Sequence, residues 1–376
     1  MNEELIAALR QIEREKGIRA ETLIEALEAA LLSAYQRNYG VDHPARVEMD
    51  RESGEIKVFS QEFDEDGNLV SEEEVTPDNF GRIAAQTAKQ VILQKIKEAE
   101  RDLIYDEYLE RVGDIVTGIV QQSDSRVTLV DLGKVEAVLP HSEQMPGERY
   151  EHGDRVKVYI VEVRKTGKGP QILVSRTHPG LVRRLFELEV PEIEDGFVEI
   201  KAVAREPGHR SKIAVVSHER NVDPVGACVG SKGSRVRMVV NELRGEKVDI
   251  VPWSDDRKAF VINALAPARI KEVVIDPDQQ SATVIVPDNQ LSLAIGKEGV
   301  NARLAAKLTS MRIDIKSESQ LAREQAGESP EEADGGSYGV PPVIEEEARS
   351  EAGEAPPESS FPGEGEGLGG EEQAGS

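Results

Sequence analysis

Cysteine is all but missing: Cys228 stands alone among 376 residues. A single thiol forms no intramolecular disulfide, and every CxxC-type zinc site is excluded with it. No apolar run approaches the ~20 residues that a membrane helix needs. The opening Met1-Asn2-Glu3-Glu4 is acidic where a secretory signal is basic, so a cytoplasmic protein with no membrane partner is expected. The histidines, at 43, 141, 152, 178, 209 and 218, show no HExxH or other ligand spacing. The N-terminal region also lacks a GxxxxGK[ST] loop, and neither a metal nor another cofactor is expected.

Positive charge is short overall, with 46 Lys and Arg against 71 Asp and Glu. A net charge of -25 argues against nucleic acid, because phosphate binding is driven by cationic side chains that release counterions. The deficit is unevenly spread. Residues 1–110 carry a net -13, 111–195 a net -2, 196–317 a net +4 and 318–376 a net -14. Only the third segment suits a polyanion, and the acidic ends call for a different partner or none.

At ~100 to 200 residues per domain, the length suggests two to four modules. Leu5, Ile6, Leu9 and Ile12, then Leu23, Ile24, Leu27 and Leu31, recur at helical spacing on either side of Gly17. Residues 46–49 and 56–59 alternate around Ser53-Gly54 as a short hairpin. Between Gly81 and Gly113 there is no Gly or Pro, and a helix of up to ~45 Å is expected to act as an exposed strut. The acidic runs at 64–66 and 72–74 read as loop. From Gly113 the pattern changes to strands at 115–121, 126–132, 135–139, 155–163 and 171–175, which suit a small barrel of the OB type. Gly113-Asp-Ile-Val-Thr-Gly118-Ile-Val, Gly153-Asp-Arg-Val-Lys-Val and Ile172-Leu-Val-Ser-Arg176 resemble an S1-type RNA-binding barrel. The end of the chain, from Glu318, is Glu, Gly, Pro and Ser, and is expected to be disordered. Its Gly365–Gly370 stretch fits GxGxxG, but no strand precedes it and no helix follows, so it reads as composition.

The motif of most consequence is a repeated GxxG. With 32 glycines the spacing arises by chance roughly 2.7 times, so it means little alone. Two copies, Gly230-Ser231-Lys232-Gly233 and Gly296-Lys297-Glu298-Gly299, nevertheless share a context. Each follows the order helix, strand, strand, helix and precedes a helix and a strand, one supersecondary unit used twice. Glycine admits positive φ and lets a nucleic-acid backbone approach the main chain. The next helix directs its N–H groups and positive dipole end at the loop, where a phosphate can sit. This is the loop of a type II KH domain, which clamps about four nucleotides of single-stranded RNA. Lys232 and Lys297 are expected to add charge at the same place. Arg235, Arg237, Asn301 and Arg303 on the following helices are further RNA-binding candidates, as are Arg205, His209, Arg210 and Lys212 around Pro207-Gly208. Cys228, among Val225, Ala227 and Val229, reads as a small buried hydrophobe. Two tandem units can hold one strand with raised effective concentration.

The expected fold is therefore multidomain α+β: a helical head with a small sheet and connecting helix (1–110), an S1-type OB barrel (111–178), two KH units (179–257 and 258–317) and an acidic tail (318–376). This set resembles the bacterial NusA family. The strings Leu185-Phe-Glu-Leu-Glu-Val-Pro-Glu-Ile193, Ala204-Arg-Glu-Pro-Gly-His-Arg-Ser-Lys-Ile-Ala-Val215, Asp223-Pro-Val-Gly-Ala-Cys-Val-Gly230 and Asn289-Gln-Leu-Ser-Leu-Ala-Ile-Gly296 are similar to its KH signatures. The resemblance implies a non-enzymatic factor, monomeric when free. It would bind RNA polymerase near the RNA exit channel through its head, nascent RNA through barrel and KH units, and other Nus factors. Pausing, termination and antitermination are the processes it would modulate. Proteobacterial members carry two further acidic helical repeats, for which this chain offers only its tail. S1 barrels that bind RNA strongly tend to display aromatic rings, whereas here only Tyr150 and Tyr159 fall in the barrel, so the KH pair is expected to contribute more. An RNA-processing enzyme and a ribosome-associated protein are the competing readings of the modules.

Overall fold

The structure, a computed structural model, describes residues 2–40, 43–64, 66–77 and 80–325. The chain divides into two compact units, one through Trp253 and one from Ser254.

In the first unit, α1 (Asn2–Lys16) and α2 (Ala20–Tyr39) precede three strands, β1 (Ala45–Met49), β2 (Ile56–Phe63) and β3 (Leu69–Glu74). The strands form an antiparallel sheet in chain order. The apolar periodicity of the helices becomes a core in which Leu9, Leu23, Leu27 and Met49 are buried. β3 corrects the loop reading of 72–74: Glu72–Glu74 form the sheet's edge, with every residue of the strand exposed. Charge on an edge strand discourages edge-to-edge pairing, and composition alone made the strand look like loop.

The long helix α3 (Phe80–Leu109) belongs to two cores. Phe80, Ala84 and Ala88 are buried in the head, while Ile104, Tyr105 and Tyr108 pack against the barrel. It is thus embedded at both ends and exposed between, where Leu93 and Leu103 meet solvent. The barrel comprises β4 (Ile115–Ser123), β5 (Val127–Asp131), β6 (Glu136–Pro140), β7 (Arg155–Thr166) and β8 (Gly169–Ser175), closed in the order β4-β5-β6-β8-β7. Gly118 is required by space: a Cβ there would lie 2.4 Å from Val130 Cγ1 and 2.8 Å from the Asp131 carbonyl oxygen.

The remainder of this unit is α4 (Pro179–Glu189), α5 (Pro191–Glu194), β9 (Val198–Glu206), β10 (Arg210–Ser217), α6 (Pro224–Val229), α7 (Ser234–Glu242) and β11 (Lys247–Pro252). β10 runs antiparallel to β9 and parallel to β11, the order expected of a type II KH unit. Its core includes Leu181, Phe186, Ile213, Val215, Cys228 and Val239.

The second unit repeats the plan with α8 (Arg257–Ala264), β12 (Glu272–Asp276), β13 (Ser281–Val286), α9 (Leu291–Ile295), α10 (Val300–Thr309) and β14 (Arg312–Ser317). Its sheet again pairs one antiparallel and one parallel ladder around the central strand. It also ends in a helix, α11 (Glu318–Gln325), which corrects the placing of 318–325 in a disordered tail. Lys316 pairs with Glu324 at 2.7 Å, and Ser319 donates to Asp288 at 2.9 Å. The tail from 326, with its disorder expectation and its GxGxxG match, lies outside the described residues.

Candidate nucleic-acid interface

The two GxxG loops follow one backbone path. Gly230 and Gly296 have φ/ψ of 70/177° and 77/171°, a region essentially closed to side-chain-bearing residues. The third loop residues, Lys232 and Glu298, are left-handed at 52/29° and 56/22°, and Gly233 and Gly299 continue left-handed. Each loop then enters a helix whose first turn receives no side-chain cap, α7 after Gly233 and α10 after Gly299. Those first-turn N–H groups and the positive helix end face the loop, which is an anion-binding geometry. Ser231, Lys232, Lys297 and Glu298 are all exposed.

The loops differ in chemistry. Ser231 is equivalent to Lys297, and Lys232 to Glu298. The lysines therefore stand at adjacent loop positions, each within the loop that the following helix end faces. Lys297 is 93% exposed and lies 3.7 Å from the Glu298 carboxylate.

Arg235 and Asn301, five residues beyond each first glycine, fold back onto the helix before the loop. Arg235 donates to the Ala227 carbonyl at 2.6 Å and to Glu192 at 2.8 Å. Asn301, 4% exposed, donates through Nδ2 to the carbonyls of Ala294 (2.9 Å), Leu265 (3.1 Å) and Leu293 (3.4 Å). Both satisfy carbonyls at a helix end that would otherwise lack intrahelical partners. The RNA contact expected of Asn301 gives way to this structural role, since its amide is buried. Arg237 and Arg303 are equivalent in the same way and grip the loops themselves. Arg237 donates to the Lys232 carbonyl at 2.6 Å, and Arg303 to the Glu298 carbonyl at 3.5 Å.

Of the cluster around Pro207-Gly208, only His209 is exposed. Arg205 is buried, with its guanidinium on Glu246 (2.9 Å) and the His178 carbonyl (2.9 Å). Glu246 also accepts from Ser211 at 2.6 Å and from the Gly208 N–H at 3.0 Å. Lys212 is buried 3.1 Å from Asp249, and Arg210 makes a two-bond fork to the same carboxylate at 2.7 and 2.8 Å. Burial works to raise the Asp249 pKa, but the hydrogen bond from Arg210 and the Lys212 charge outweigh it and hold the carboxyl below its ordinary value. Burial pushes the Lys212 ammonium down against the opposing pull of Asp249. Arg205 and Lys212 are thus withdrawn from the RNA-lining set because a cation occupied inside the fold cannot neutralise a phosphate outside it. α7 separates the loop from the start of β11, where Arg210 pairs.

Sequence reasoning missed the barrel's junction with the first KH unit. Arg176, 1% exposed, forks onto Glu148 at 2.7 and 2.9 Å and reaches the Glu242 side chain, the Glu242 carbonyl and the Lys157 carbonyl. Tyr150 donates to Glu148 and is buried, and Tyr159 stacks on His178 at 4.5 Å. Tyr150 is thus withdrawn from solvent, and one face of the Tyr159 ring is taken by His178. Among the described residues no group of His, Cys, Asp and Glu could hold a metal, and no helix is long and apolar enough to cross a membrane.

Four family models match the chain: the NusA N-terminal domain over 4–65 and 61–102, the S1 RNA binding domain over 110–175, and the NusA-like first and second KH domains over 176–253 and 257–323. The transcription termination/antitermination protein NusA of Halalkalibacterium halodurans is 56% identical over 342 residues, covering 85% of this chain and 90% of that protein. The protein of the same name from Bacillus subtilis is 56% identical over 346 residues, covering 86% and 93%. The solution structure of the B. subtilis NusA N-terminal domain is 45% identical, with a TM-score of 0.24, covering 27% of this chain and 99% of that one.

Proposed function

The chain belongs to the NusA family of transcription termination/antitermination proteins, and from that premise we propose how it divides the work. The two GxxG loops clamp the sugar–phosphate backbone of single-stranded nascent RNA, and the acidic head docks on RNA polymerase. So placed, the protein modulates pausing, termination and antitermination by holding transcript beside the enzyme that makes it.

One observation carries the RNA reading. Two loops 66 residues apart trace the same left-handed path into uncapped helix ends, each with an exposed lysine. Glycine at the outer positions clears the approach, amide hydrogens and the helix dipole attract the phosphates, and Lys232 and Lys297 add charge. Arg237 and Arg303 hold the loop carbonyls and bring further guanidinium charge beside the strand, with His209 on the rim of the first unit. Arg235 and Asn301 fix the angle between the helices flanking each loop. The barrel, with Tyr150 buried and Tyr159 stacked on His178, contributes mainly by placement. For the head, support comes from its net charge and from β3, which exposes Leu69 and Val70 beside its glutamates.

Replacing Ser231, Lys232, Lys297 and Glu298 by Asp while keeping all four glycines is expected to leave the fold intact and lower single-stranded RNA affinity by about ten-fold or more, through the loss of phosphate contacts. Filter binding with the full chain checks this, and unchanged affinity rejects the assignment. Wild-type binding is expected to weaken with salt by ~0.7 log units per log unit for each phosphate neutralised.

A further inference from the structure

The two loops share a backbone but not a charge pattern, and the difference falls on exposed positions. In the first loop the left-handed third residue is Lys232; in the second it is Glu298, 77% exposed. A left-handed backbone is unfavourable for an ordinary residue and favours Gly or Asn. Glu298 gains little locally in return, since its carboxylate contact is Lys297 at 3.7 Å, between two largely exposed side chains. The helix end of α10 gives an acid here a modest return, one that the first loop forgoes by placing Lys232 at the same position before α7. The loop's other groups, the helix end of α10 and Lys297, all favour an anion.

We infer that Glu298 is a built-in brake on the second KH unit, an acidic side chain that weakens that unit's hold on the phosphate backbone and leaves the first unit as the firmer grip. This rests on the reading of the loops as phosphate clamps. Lys297 spends part of its field on Glu298, and an approaching phosphate meets a carboxylate at the position where the first loop presents an ammonium. The consequence is asymmetric: RNA stays on the first unit while the second exchanges its nucleotides quickly, as suits a transcript that lengthens while bound.

The test uses the full chain and a labelled random-sequence single-stranded RNA of about ten nucleotides, long enough for two loops at about four nucleotides each. Affinity and dissociation rate are measured for wild type, Glu298→Gln, Glu298→Lys, Lys232→Gln and Lys297→Gln over a range of salt. Removing one like charge at several ångströms in water is expected to tighten binding about three-fold, chiefly through slower dissociation, and reversing it about ten-fold. Both gains shrink as salt rises. Equal or weaker binding by the two Glu298 variants, with Lys232→Gln or Lys297→Gln still impaired, overturns the brake and leaves the clamp standing. If neither lysine variant is impaired, the clamp itself fails and the brake falls with it.

Discussion

Gly230 and Gly296 hold the same backbone conformation, yet their neighbours differ in how far they can give. A Cβ at Gly230 meets the Arg235 stem at 2.8 Å from Cγ and 3.1 Å from Cβ, and that side chain yields only by loosening its hydrogen bonds to Ala227 and Glu192. At Gly296 the obstacle is Asn301, with its backbone nitrogen 2.9 Å away, and a backbone atom inside a helix cannot move alone. Alanine costs about 1–3 kcal/mol at either site for the conformation itself. Gly296→Ala is expected to cost more than Gly230→Ala, read as a larger loss of amide-exchange protection in α10 than in α7. Equal losses would mean that α10 shifts as readily as a side chain. The glycines were legible because spacing and context repeat. The inward turn of Arg235 and Asn301 was not, because a polar residue near a loop reads the same whether it points at solvent or at a carbonyl. Cys228 was legible from its apolar neighbours, and burial pushes its thiol up to about 12. It is expected to resist thiol reagents until the protein is denatured.

Among the elements, the barrel strands were readable to within a few residues because β-branched alternation and turn glycines agreed there. β3 and α11 were not, since glutamate-rich stretches carry no apolar period, and only their neighbours' backbones or lysines order them. The parallel pairing of β10 with β11 carries a further device that pattern could not reveal: Lys212 faces Asp249 across the ladder, with Arg210 on the same carboxylate. Since the folded state holds the Asp249 carboxyl below its ordinary value, the unfolded chain takes up the proton first as pH falls. The stabilisation is complete above about pH 4, the unfolded value, and is lost as pH falls through the lower folded value. Asp249→Asn is therefore expected to destabilise the protein at neutral pH and to flatten its acid unfolding curve. Parallel curves for wild type and variant below about pH 4 would remove Asp249 from that role.

At the scale of the molecule, the opposite charges of the head and the KH region suit two partners of opposite sign, and the first unit supplies rigid connections between them. α3 is shared by the cores of head and barrel, so the direction of one constrains the other. Barrel and first KH unit meet through Arg176, which joins Glu148 of the barrel to Glu242 at the end of α7, the helix that begins at the first GxxG loop. This junction therefore sets where that loop stands relative to the barrel. Removing one partner of a buried ion pair leaves the other uncompensated, at about 3–5 kcal/mol, whereas replacing both by apolar groups of similar size can be neutral. Arg176→Ala is accordingly expected to destabilise the first unit by about that amount in chemical denaturation. Arg176→Met combined with Glu148→Gln is expected to recover most of the loss, because no unpaired carboxylate then remains beside Tyr150. If the double variant is as unstable as the single one, the junction's contribution lies in the hydrogen bonds of Arg176 to the Lys157 and Glu242 carbonyls rather than in its charge.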